Sequence, residues 1–529
     1  MDLSKSLTIL QPKGLQVKKS TPVIRASHVN TGTSFSPDEL PWPHRPGRVM
    51  RFPTLHLEID QRSEVTPYGG LSLVVAFIRR FKVAQLLDRH VHVLKQHKPY
   101  HESDHILAQA CNLYVGGTCL EDLSQLQQSE AVCRLLGACR LPDPTTAGDF
   151  LRRFSELDNP GSLAAMRGVI DTIQDAVWQK LSKRRGAKDA ERAWSVVDLD
   201  GHLKELYGMQ KGGADFSHTG KWSYHPLVVS LADSGDCVAV RNRSGNVRSS
   251  EGAAEVLREV LPRVKRHARK VLVRGDSDFD RRDVRDACES ASAYFVFVGR
   301  EFTNRPAIAA EVSESAWQVF EPRAKRVLKQ RRTAAGFRGR QRKANRRRQR
   351  ACERNYNALR LTGQWVAEVP YQPLDSDKTY RLIIRRQCIA HYKGSTFIRD
   401  ETRYRYVVTN LPTSWSAQQV VDETYRRCDQ ENVIAQMGSG LAAWRMPVGE
   451  FIGNCAWLEI ARLAWNLAKW IAQLSLPAEV VRWEWKRFRQ GFVYVGAQVI
   501  KRGRQMWVRF SGSHRFIKTL VAAHQGLQT

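Results

Sequence analysis

The segment between Arg192 and Arg300 constrains the fold most, because its apolar runs follow one another in an order that few architectures accept. A short apolar run ends in acids at Asp198 and Asp200, and two further runs flank the turn Asp233–Asp236 as an antiparallel hairpin. Helical and strand patterns then alternate to the end of the segment. The order is strand, hairpin, helix, strand, helix, strand. It predicts a mixed α/β sheet whose first strands are antiparallel and whose later strands are reached through helical crossovers.

The segments on either side of this sheet differ in pattern. Apolar residues recur at helical spacing from about Gly69 to Lys183, which predicts an all-helical domain before the sheet. After the sheet, strand patterns give way to helical ones from Ser416 onward. The patterns predict a mobile N-terminal arm (1–60), a helical domain (61–188), the first part of a core (189–300), a basic and β-rich insertion (301–412), the rest of the core (413–480) and a basic C-terminal tail (481–529).

The charge of the chain restricts its partners. It carries 83 Lys and Arg against 53 Asp and Glu, a formal net charge of +30, which implies nucleic acid or an anionic membrane surface. The run Arg323–Arg350 contains 14 of the basic residues, including Arg346, Arg347 and Arg348, and no acid. We interpret this run either as a surface for nucleic acid or as a solvated tract without a specific role. No apolar stretch is suited to span a bilayer, so we expect no membrane partner.

The sequence gives little support to zinc or nucleotide sites of known spacing. The ten cysteines contain no CxxC pair, and without a secretory signal at Met1–Leu10 they are interpreted as reduced thiols of a cytoplasmic protein. The segment His101–His105, HESDH, matches the HExxH pattern of zinc peptidases. It is strongly polar and follows Pro99, so we prefer to interpret it as a helix N-terminus with solvated side chains. The chain lacks a GxxxxGK[ST] loop, and we expect no nucleotide cofactor.

Three acids stand where a metal site would need them. Asp200 and Asp276 each end an apolar strand pattern, and Glu431 lies in a predicted helix, VDETYRRCDQENVIAQM. Strand ends project side chains from one edge of a sheet, and a helix packed across that edge can add a third carboxylate. Mg²⁺ prefers such oxygen ligands, and two ions together can support phosphodiester cleavage. Asp198 lies on the same strand face as Asp200 and is an alternative first ligand. Acids in ordinary turns are the alternative to any metal site.

Four motifs in this order carry a resemblance to a known family: DLDGHLKELYGMQKGGADF, GKWSYHPLVVSLADSGDCVAVRNRSGN, VLVRGDSDF and YRRCDQENVIAQM. From about Arg192 to Asn466 the chain resembles bacterial insertion-sequence DDE transposases, in particular those with a tyrosine–arginine–glutamate–lysine signature around the third acid. The resemblance implies a ribonuclease H-like fold interrupted by a β-rich insertion. It also implies that Asp200, Asp276 and Glu431 hold two Mg²⁺ or Mn²⁺ ions.

The same resemblance implies an activity and partners. Such an enzyme cleaves phosphodiester bonds at the ends of a mobile element and joins the freed 3′-hydroxyl ends to target DNA. We therefore expect double-stranded DNA as partner, with the helical domain 61–188 binding it, and a homodimer in the DNA complex. The expected location is the bacterial cytoplasm, in association with the nucleoid. The alternative is a catalytically inactive DNA-binding protein derived from a transposase.

The signature in this chain is incomplete. Arg427 stands four residues before Glu431, as the signature requires, and is expected to contact a DNA phosphate. Tyr425 is a further expected DNA contact but comes one residue later than the pattern, and Gly438 occupies the place of the signature lysine. Trp444 is a candidate for stacking on a flipped base at a DNA end. The departures at Tyr425 and Gly438 are what motivates the inactive alternative.

Overall fold

The structure, a computed structural model, describes residues 64–185, 194–301, 304–323, 326, 350, 353–503 and 505–528, so the predicted arm 1–60 lies outside it. The first of these ranges is helical, as predicted, apart from the two-residue strand β1 (Val65–Thr66). Its helices are α1 (Leu71–Arg80), α2 (Val83–His90), α3 (Glu102–Val115), α4 (Leu123–Gln127), α5 (Glu130–Leu136), α6 (Pro144–Arg152) and α7 (Ser162–Arg185). Their apolar faces are buried in one common cluster.

The core sheet has the predicted order of elements. Its region contains β2 (Trp194–Gly201), β3 (Lys204–Glu205), β4 (Asp215–Phe216), β5 (Trp222–Tyr224), β6 (Leu227–Leu231), β7 (Cys237–Arg241), α8 (Ala253–Lys265), β8 (Lys270–Gly275), α9 (Arg282–Ser290) and β9 (Tyr294–Gly299). Strands β2, β6 and β7 are antiparallel neighbours, whereas β8 runs parallel to β2 and β9 parallel to β8. The predicted mixture of antiparallel strands and helical crossovers is confirmed. Strands β3, β5 and β4 form a small separate sheet.

The insertion continues the same sheet. It contains α10 (Arg305–Glu311), β10 (Gln318–Val319), β11 (Asn357–Tyr371), β12 (Tyr380–Lys393) and β13 (Thr396–Thr409). Strand β13 pairs antiparallel with β9, so that over the described ranges the sheet has nine strands in the order β10-β11-β12-β13-β9-β8-β2-β6-β7. Leu382 and Ile384 are buried on one face of β12 and Ile383 on the other, which explains the continuous apolar run seen in the sequence. The three strand predictions for this segment are confirmed, although the strands are longer than expected.

The C-terminal part is mainly helical. It contains α11 (Ala417–Arg426), α12 (Cys428–Ser439), α13 (Phe451–Ser475), α14 (Trp485–Phe492), β14 (Ala497–Arg502), β15 (Gln505–Phe510) and α15 (Ile517–Gln528). The single helix predicted around Glu431 is wrong in one respect, because the structure interrupts it at Arg427 and gives two helices, α11 and α12. Strands β14 and β15 confirm the two tail strands and form a small sheet with β1.

Helix α13 joins the N-terminal and C-terminal helices into one hydrophobic core. It contacts α1, α3, α6, α7 and α15, and its Trp457, Trp465 and Trp470 are fully buried. Phe77 of α1 stacks on Trp470, with ring centroids 5.7 Å apart. The segments 61–188 and 481–529 therefore bury side chains in the same cluster. Among the described helices, none is both long and apolar enough to cross a bilayer.

Candidate active site

Strands β2 and β8 bring Asp200 and Asp276 to the same end of the sheet. The strands are parallel neighbours, with Asp198 in register with Arg274. Asp200 lies two residues beyond Asp198, and Asp276 lies two residues beyond Arg274, directly after the end of β8. Because parallel neighbours advance in step, both carboxylates reach the carboxyl-terminal edge together. They are close enough for the negative charge of Asp276 to act on Asp200.

Side-chain alternation decides which face of the sheet the acids occupy. Val197 and Leu199 of β2 are buried in the cluster formed with α8 and α9. Asp198 and Asp200 therefore point to the opposite face. Helix α12 contacts β2 and β6, and α11 contacts the neighbouring strand β9. The acids thus lie beneath the helix pair that carries the third carboxylate.

A buried glutamine that the sequence analysis overlooked anchors α12 to this face. Gln430 is 0% exposed, and its Nε2 donates to the carbonyl oxygen of Val228 at 3.0 Å. Its Oε1 accepts the hydroxyl of Ser230. Val228 is the residue of β6 that pairs with Asp200 of β2, so the anchor fixes the start of α12 beside the acid. Gln430 directly precedes Glu431, and a polar residue inside a helical pattern gives no signal for such a contact in a single sequence.

Arg427 lies between the first and third acids. Its Nη1 donates to Oδ2 of Asp200 at 3.1 Å, and its Nη2 is 3.6 Å from Oε1 of Glu431. The Glu431 side chain is 62% exposed, whereas those of Asp200 and Arg427 are largely buried. The three acids do not form a group, within the described residues, whose ligand atoms all lie within 4.8 Å of one another. A guanidinium therefore pairs with two of the three carboxylates.

The two strand-end acids share an unfavourable electrostatic environment. Burial raises the pKa of Asp200 to about 6, and the charge of Asp276 adds to this rise although Arg427 opposes it. Burial likewise raises the pKa of Asp276, against a 2.9 Å hydrogen bond from the backbone N–H of Asp278 and the charge of Arg427. Arg427, with Arg300 also acting on Asp276, does not bring the pKa of either carboxyl back to its usual value. The site therefore favours the binding of a further positive charge.

Asp198, the alternative first ligand, has a complete set of partners. Its carboxylate is 0% exposed and accepts two hydrogen bonds from Arg274, at 2.7 and 2.8 Å. Arg274 also pairs with Glu423 of α11 at 3.2 Å. Burial raises the pKa of Asp198 although the hydrogen bonds and charge of Arg274 oppose the rise. The same hydrogen bonds hold the pKa of Arg274 above its usual value against the effect of burial. Asp198 thus fastens α11 to the sheet, and Asp200 is the acid of β2 with an oxygen facing the site.

The donor set fits a divalent cation with oxygen ligands. Burial is the main cause of the raised pKa values of Asp200 and Asp276, and a doubly charged ion would stabilise the charged forms that burial disfavours. Mg²⁺ and Mn²⁺ take such ligands and complete their coordination with water and phosphate oxygens. The partly buried carboxylates and the exposed Glu431 leave one side of the site open to solvent.

The comparison with known families agrees with this geometry. The family model described as transposase DDE domain group 1 matches residues 58–529. The chain belongs to this family. The cryo-EM structure of the piggyBac transposase synaptic complex with hairpin DNA is similar at 11% identity over 81% of each chain, with a TM-score of 0.34. No curated protein matches the chain.

In this DDE family member the space beside Gly438, where the resemblance predicts a lysine, is occupied. A Cβ added to Gly438 would lie 2.5 Å from Cδ1 of Trp444, so the indole ring fills the space next to this glycine. Trp444 is 6% exposed, donates from Nε1 to the carbonyl oxygen of Ile434 at 3.1 Å and packs on His202. Stacking of Trp444 on a base would require it to leave this packing. A side chain at position 438 would therefore displace the ring of Trp444.

The remaining predicted contact residues differ in their positions. Tyr425 lies on α11, is 46% exposed, and has the guanidinium of Arg385 5.1 Å from its ring centroid. It is therefore accessible from solvent, next to β12 of the insertion. Arg346, Arg347 and Arg348 lie outside the described residues. Their predicted contact with DNA stays a prediction.

The HESDH segment does not assemble a peptidase site. Glu102 is 1% exposed and accepts the backbone N–H groups of Val93 and Leu94, at 3.2 and 3.1 Å. His105 is 3% exposed and stacks on Phe150, with ring centroids 4.4 Å apart. The second histidine of the motif is therefore part of the core, and the glutamate holds a loop. The expected helix N-terminus is present, since α3 begins at Glu102, but its side chains are more buried than expected.

Proposed function

We propose that the chain is a DNA transposase that cuts phosphodiester bonds at the ends of a mobile element and joins the 3′-hydroxyl ends to target DNA. The observation that carries the proposal is the meeting of Asp200 and Asp276 at one sheet edge, beneath the helix of Glu431, in a chain of the transposase DDE family. An acid-lined site in a protein of net charge +30 suits a polyanionic substrate. The inactive DNA-binding alternative has no comparable observation in its favour.

We further propose that the core is ribonuclease H-like. The support is the strand order β7-β6-β2-β8-β9, in which three antiparallel strands are followed by two parallel strands reached through α8 and α9. The acids occupy the ends of the central strand β2 and its parallel neighbour β8. The β-rich insertion then lies between β9 and the glutamate helix in the chain, although it extends the same sheet in space.

Asp200, Asp276 and Glu431 are proposed to hold two Mg²⁺ or Mn²⁺ ions. When bound, such ions activate the attacking oxygen and stabilise the leaving oxygen of the phosphodiester. The protein positions the carboxylates: β2 and β8 fix two of them, and Gln430 fixes the helix of the third through Val228. Burial raises the pKa values of Asp200 and Asp276 by disfavouring their charged forms, and a bound cation would stabilise those forms.

Arg427 is proposed to change partners when substrate arrives. It now pairs with Asp200 and Glu431, and cations on these carboxylates would repel the guanidinium. A DNA phosphate beside the site offers it a new partner, which is the role expected from the signature. The run containing Arg346, Arg347 and Arg348 is proposed to contact the DNA backbone. A homodimer bridging two DNA ends in the nucleoid of a bacterium, without a nucleotide cofactor, completes the proposal.

The test uses DNA from the flanks of the coding region, which carries the element ends, with Mg²⁺ or Mn²⁺. We expect Asp276→Asn and Glu431→Gln to abolish cleavage while DNA retardation in a gel persists. Asp429→Asn is the matched control, because Asp429 is an exposed acid of the same helix and lines a separate polar cavity with Gln436 and Trp483. If the wild-type protein retards this DNA but leaves it uncut with either metal, the inactive alternative is correct.

A further inference from the structure

Three side chains that can ligate a metal lie together where α3 begins. They are His97, His101 and Glu102, and one ligand atom from each lies within 4.8 Å of the others. The first two are exposed and the third is buried. None of them belongs to the group of acids at the sheet edge. The cluster uses part of the HESDH segment, but with His97 in place of the buried His105.

The buried carboxylate of Glu102 is the feature that makes this cluster a candidate metal site. One carboxylate oxygen, Oε1, accepts the backbone N–H groups of Val93 and Leu94. The other oxygen, Oε2, is buried and has no hydrogen-bond partner. It lies 3.1 Å from Nε2 of His97, yet the pair lacks the geometry of a hydrogen bond. A buried carboxylate oxygen without a donor costs free energy, so the site is incomplete as it stands.

The distances suit two ligands of one ion. Zinc binds imidazole nitrogen and carboxylate oxygen at about 2.0–2.2 Å in tetrahedral geometry, which separates neighbouring ligand atoms by about 3.3 Å. The 3.1 Å between Glu102 and His97 is close to this value. The His101 ring stacks on that of His97 with centroids 4.8 Å apart, and an exposed imidazole can turn towards the ion. The carboxylate of Asp104 accepts the backbone N–H of His101 at 2.9 Å, which holds the backbone of this residue at the start of α3.

We propose that His97, His101 and Glu102 form a zinc-binding site, with water as the fourth ligand. Two neutral imidazoles and one carboxylate are a donor set that zinc accepts, whereas Mg²⁺ prefers oxygen ligands alone. The ion links the loop that follows α2 to the first turn of α3. The role is structural, because Glu102 is itself a ligand and its second oxygen holds the loop backbone. A peptidase base would need a free carboxylate.

The competing explanation is an ion pair between Glu102 and a protonated His97, with no metal. The two explanations differ in the part played by His101. In an ion pair His101 is a bystander, whereas in a zinc site its loss removes a ligand. Replacement of Glu102 would disturb the loop directly through Val93 and Leu94, so the exposed histidines are the better positions to change.

The test measures Zn²⁺ binding to the full-length chain by calorimetry, with Mg²⁺ in large excess to occupy the acids at the sheet edge. We expect one Zn²⁺ per chain, with affinity at least about 100-fold lower in His97→Gln and in His101→Gln. His90→Gln is the matched control, since His90 is an exposed histidine at the end of α2 and should leave binding unchanged. Co²⁺ in place of Zn²⁺ should give the visible absorption of a tetrahedral site in the wild type and in His90→Gln, but not in His97→Gln or His101→Gln.

A second readout keeps the result independent of DNA cleavage. Zn²⁺ should raise the melting temperature of the wild-type protein and of His90→Gln, but not that of His97→Gln, because only a folded site gains from binding. Far-UV circular dichroism checks that each variant is folded. Absence of Zn²⁺ binding, or binding that survives both His97→Gln and His101→Gln, would overturn the proposal and leave the ion pair as the explanation.

Discussion

Two neighbouring positions on β2 and β8, two residues apart along each chain segment, differ in how their charges are balanced. At the inner position Asp198 of β2 faces Arg274 of β8, and the two side chains are 0% and 2% exposed. At the outer position Asp200 and Asp276 meet as two acids. The inner pair has matched charges and hydrogen bonds, whereas the outer pair has surplus negative charge that Arg427 only partly offsets.

The difference shows how one sheet edge can serve both stability and chemistry. A buried carboxylate with an arginine in bidentate contact is a fixed structural element. A pair of carboxylates without enough positive charge is unfavourable until a cation binds. Strain of this kind is tolerated at a site because the surrounding structure is held firmly, here by the Asp198–Arg274–Glu423 group. The following predictions test this contrast.

The largest expected effect is on cleavage. Asp200→Asn removes a ligand charge from the outer position, and we expect cleavage of element-end DNA to slow by about 10³-fold or more, equivalent to about 4 kcal/mol. Asp198→Asn should slow cleavage far less at a temperature where the variant remains folded. Rates measured side by side with Mg²⁺ compare the two positions. The reverse order of effects would make Asp198 the first ligand.

The next effect is on stability. Asp198→Asn leaves Arg274 buried without its main partner, and we expect a loss of about 3–5 kcal/mol, because breaking a buried ion pair exposes the cost of the remaining charge. The urea midpoint of unfolding, followed by tryptophan fluorescence without divalent metal, measures the change. Asp200→Asn, the same substitution two residues further along β2, is the control. A variant as stable as the wild type would contradict the structural role assigned to Asp198.

A smaller and pH-dependent effect is expected at Asp200 itself. Its pKa is raised to about 6 in the folded protein from a usual value of about 4. The folded state therefore holds the proton more tightly, and its contribution to stability is present at low pH and lost as pH rises from about 4 through about 6. Without metal, Asp200→Asn should be more stable than the wild type by about 3 kcal/mol at neutral pH.

The same comparison at pH 4 supplies the internal control. There the Asp200 carboxyl is protonated in the folded state and about half protonated in the unfolded state, so most of the advantage of Asp200→Asn should disappear. Urea unfolding in chelator at a series of pH values gives the curve. An advantage that does not depend on pH would mean that charge burial is not its cause.

The smallest expected effect concerns Arg427. Arg427→Gln removes the cation that competes with metal for Asp200 and Glu431, and we expect Mn²⁺ to bind the DNA-free protein about fivefold more tightly, or about 1 kcal/mol. Arg426→Gln is the neighbouring control, since Arg426 pairs with Glu423 instead. Calorimetric titration with Mn²⁺ measures both. Weaker binding in Arg427→Gln would show that this arginine supports the metal site rather than competing with it.

Much of the sheet could be predicted from sequence because its signals are local. Apolar runs with acids at their ends gave β2 and β8, and the alternation of helix and strand patterns gave the crossovers. The continuation of the sheet through β13 could not be predicted, since strand pairing between distant segments leaves no local pattern. The break at Arg427 could not be predicted either, because no proline or glycine marks it in the sequence.

The site was predictable to a similar extent. The positions of Asp200, Asp276 and Glu431 come from strand ends and a helix pattern, but the choice between Asp198 and Asp200 depends on which acid meets Arg274. That contact joins residues 76 positions apart and has no trace in composition. The burial of Trp444 beside Gly438 and the anchor at Gln430 are likewise tertiary contacts. The residue types and their positions identify the candidate ligands, and packing determines which of them are accessible.

The shared core of the N-terminal helices and α13 has a consequence for how the chain folds during synthesis. Phe77 of α1 stacks on Trp470 of α13, nearly four hundred residues later in the sequence. During synthesis the helices of residues 64–185 thus expose apolar faces until α13 has been made, and such faces favour aggregation. We expect a fragment ending at Arg185 to aggregate when expressed alone, which sedimentation of the fragment checks. A prematurely ended copy would then yield no helical fragment able to compete with the intact protein for DNA.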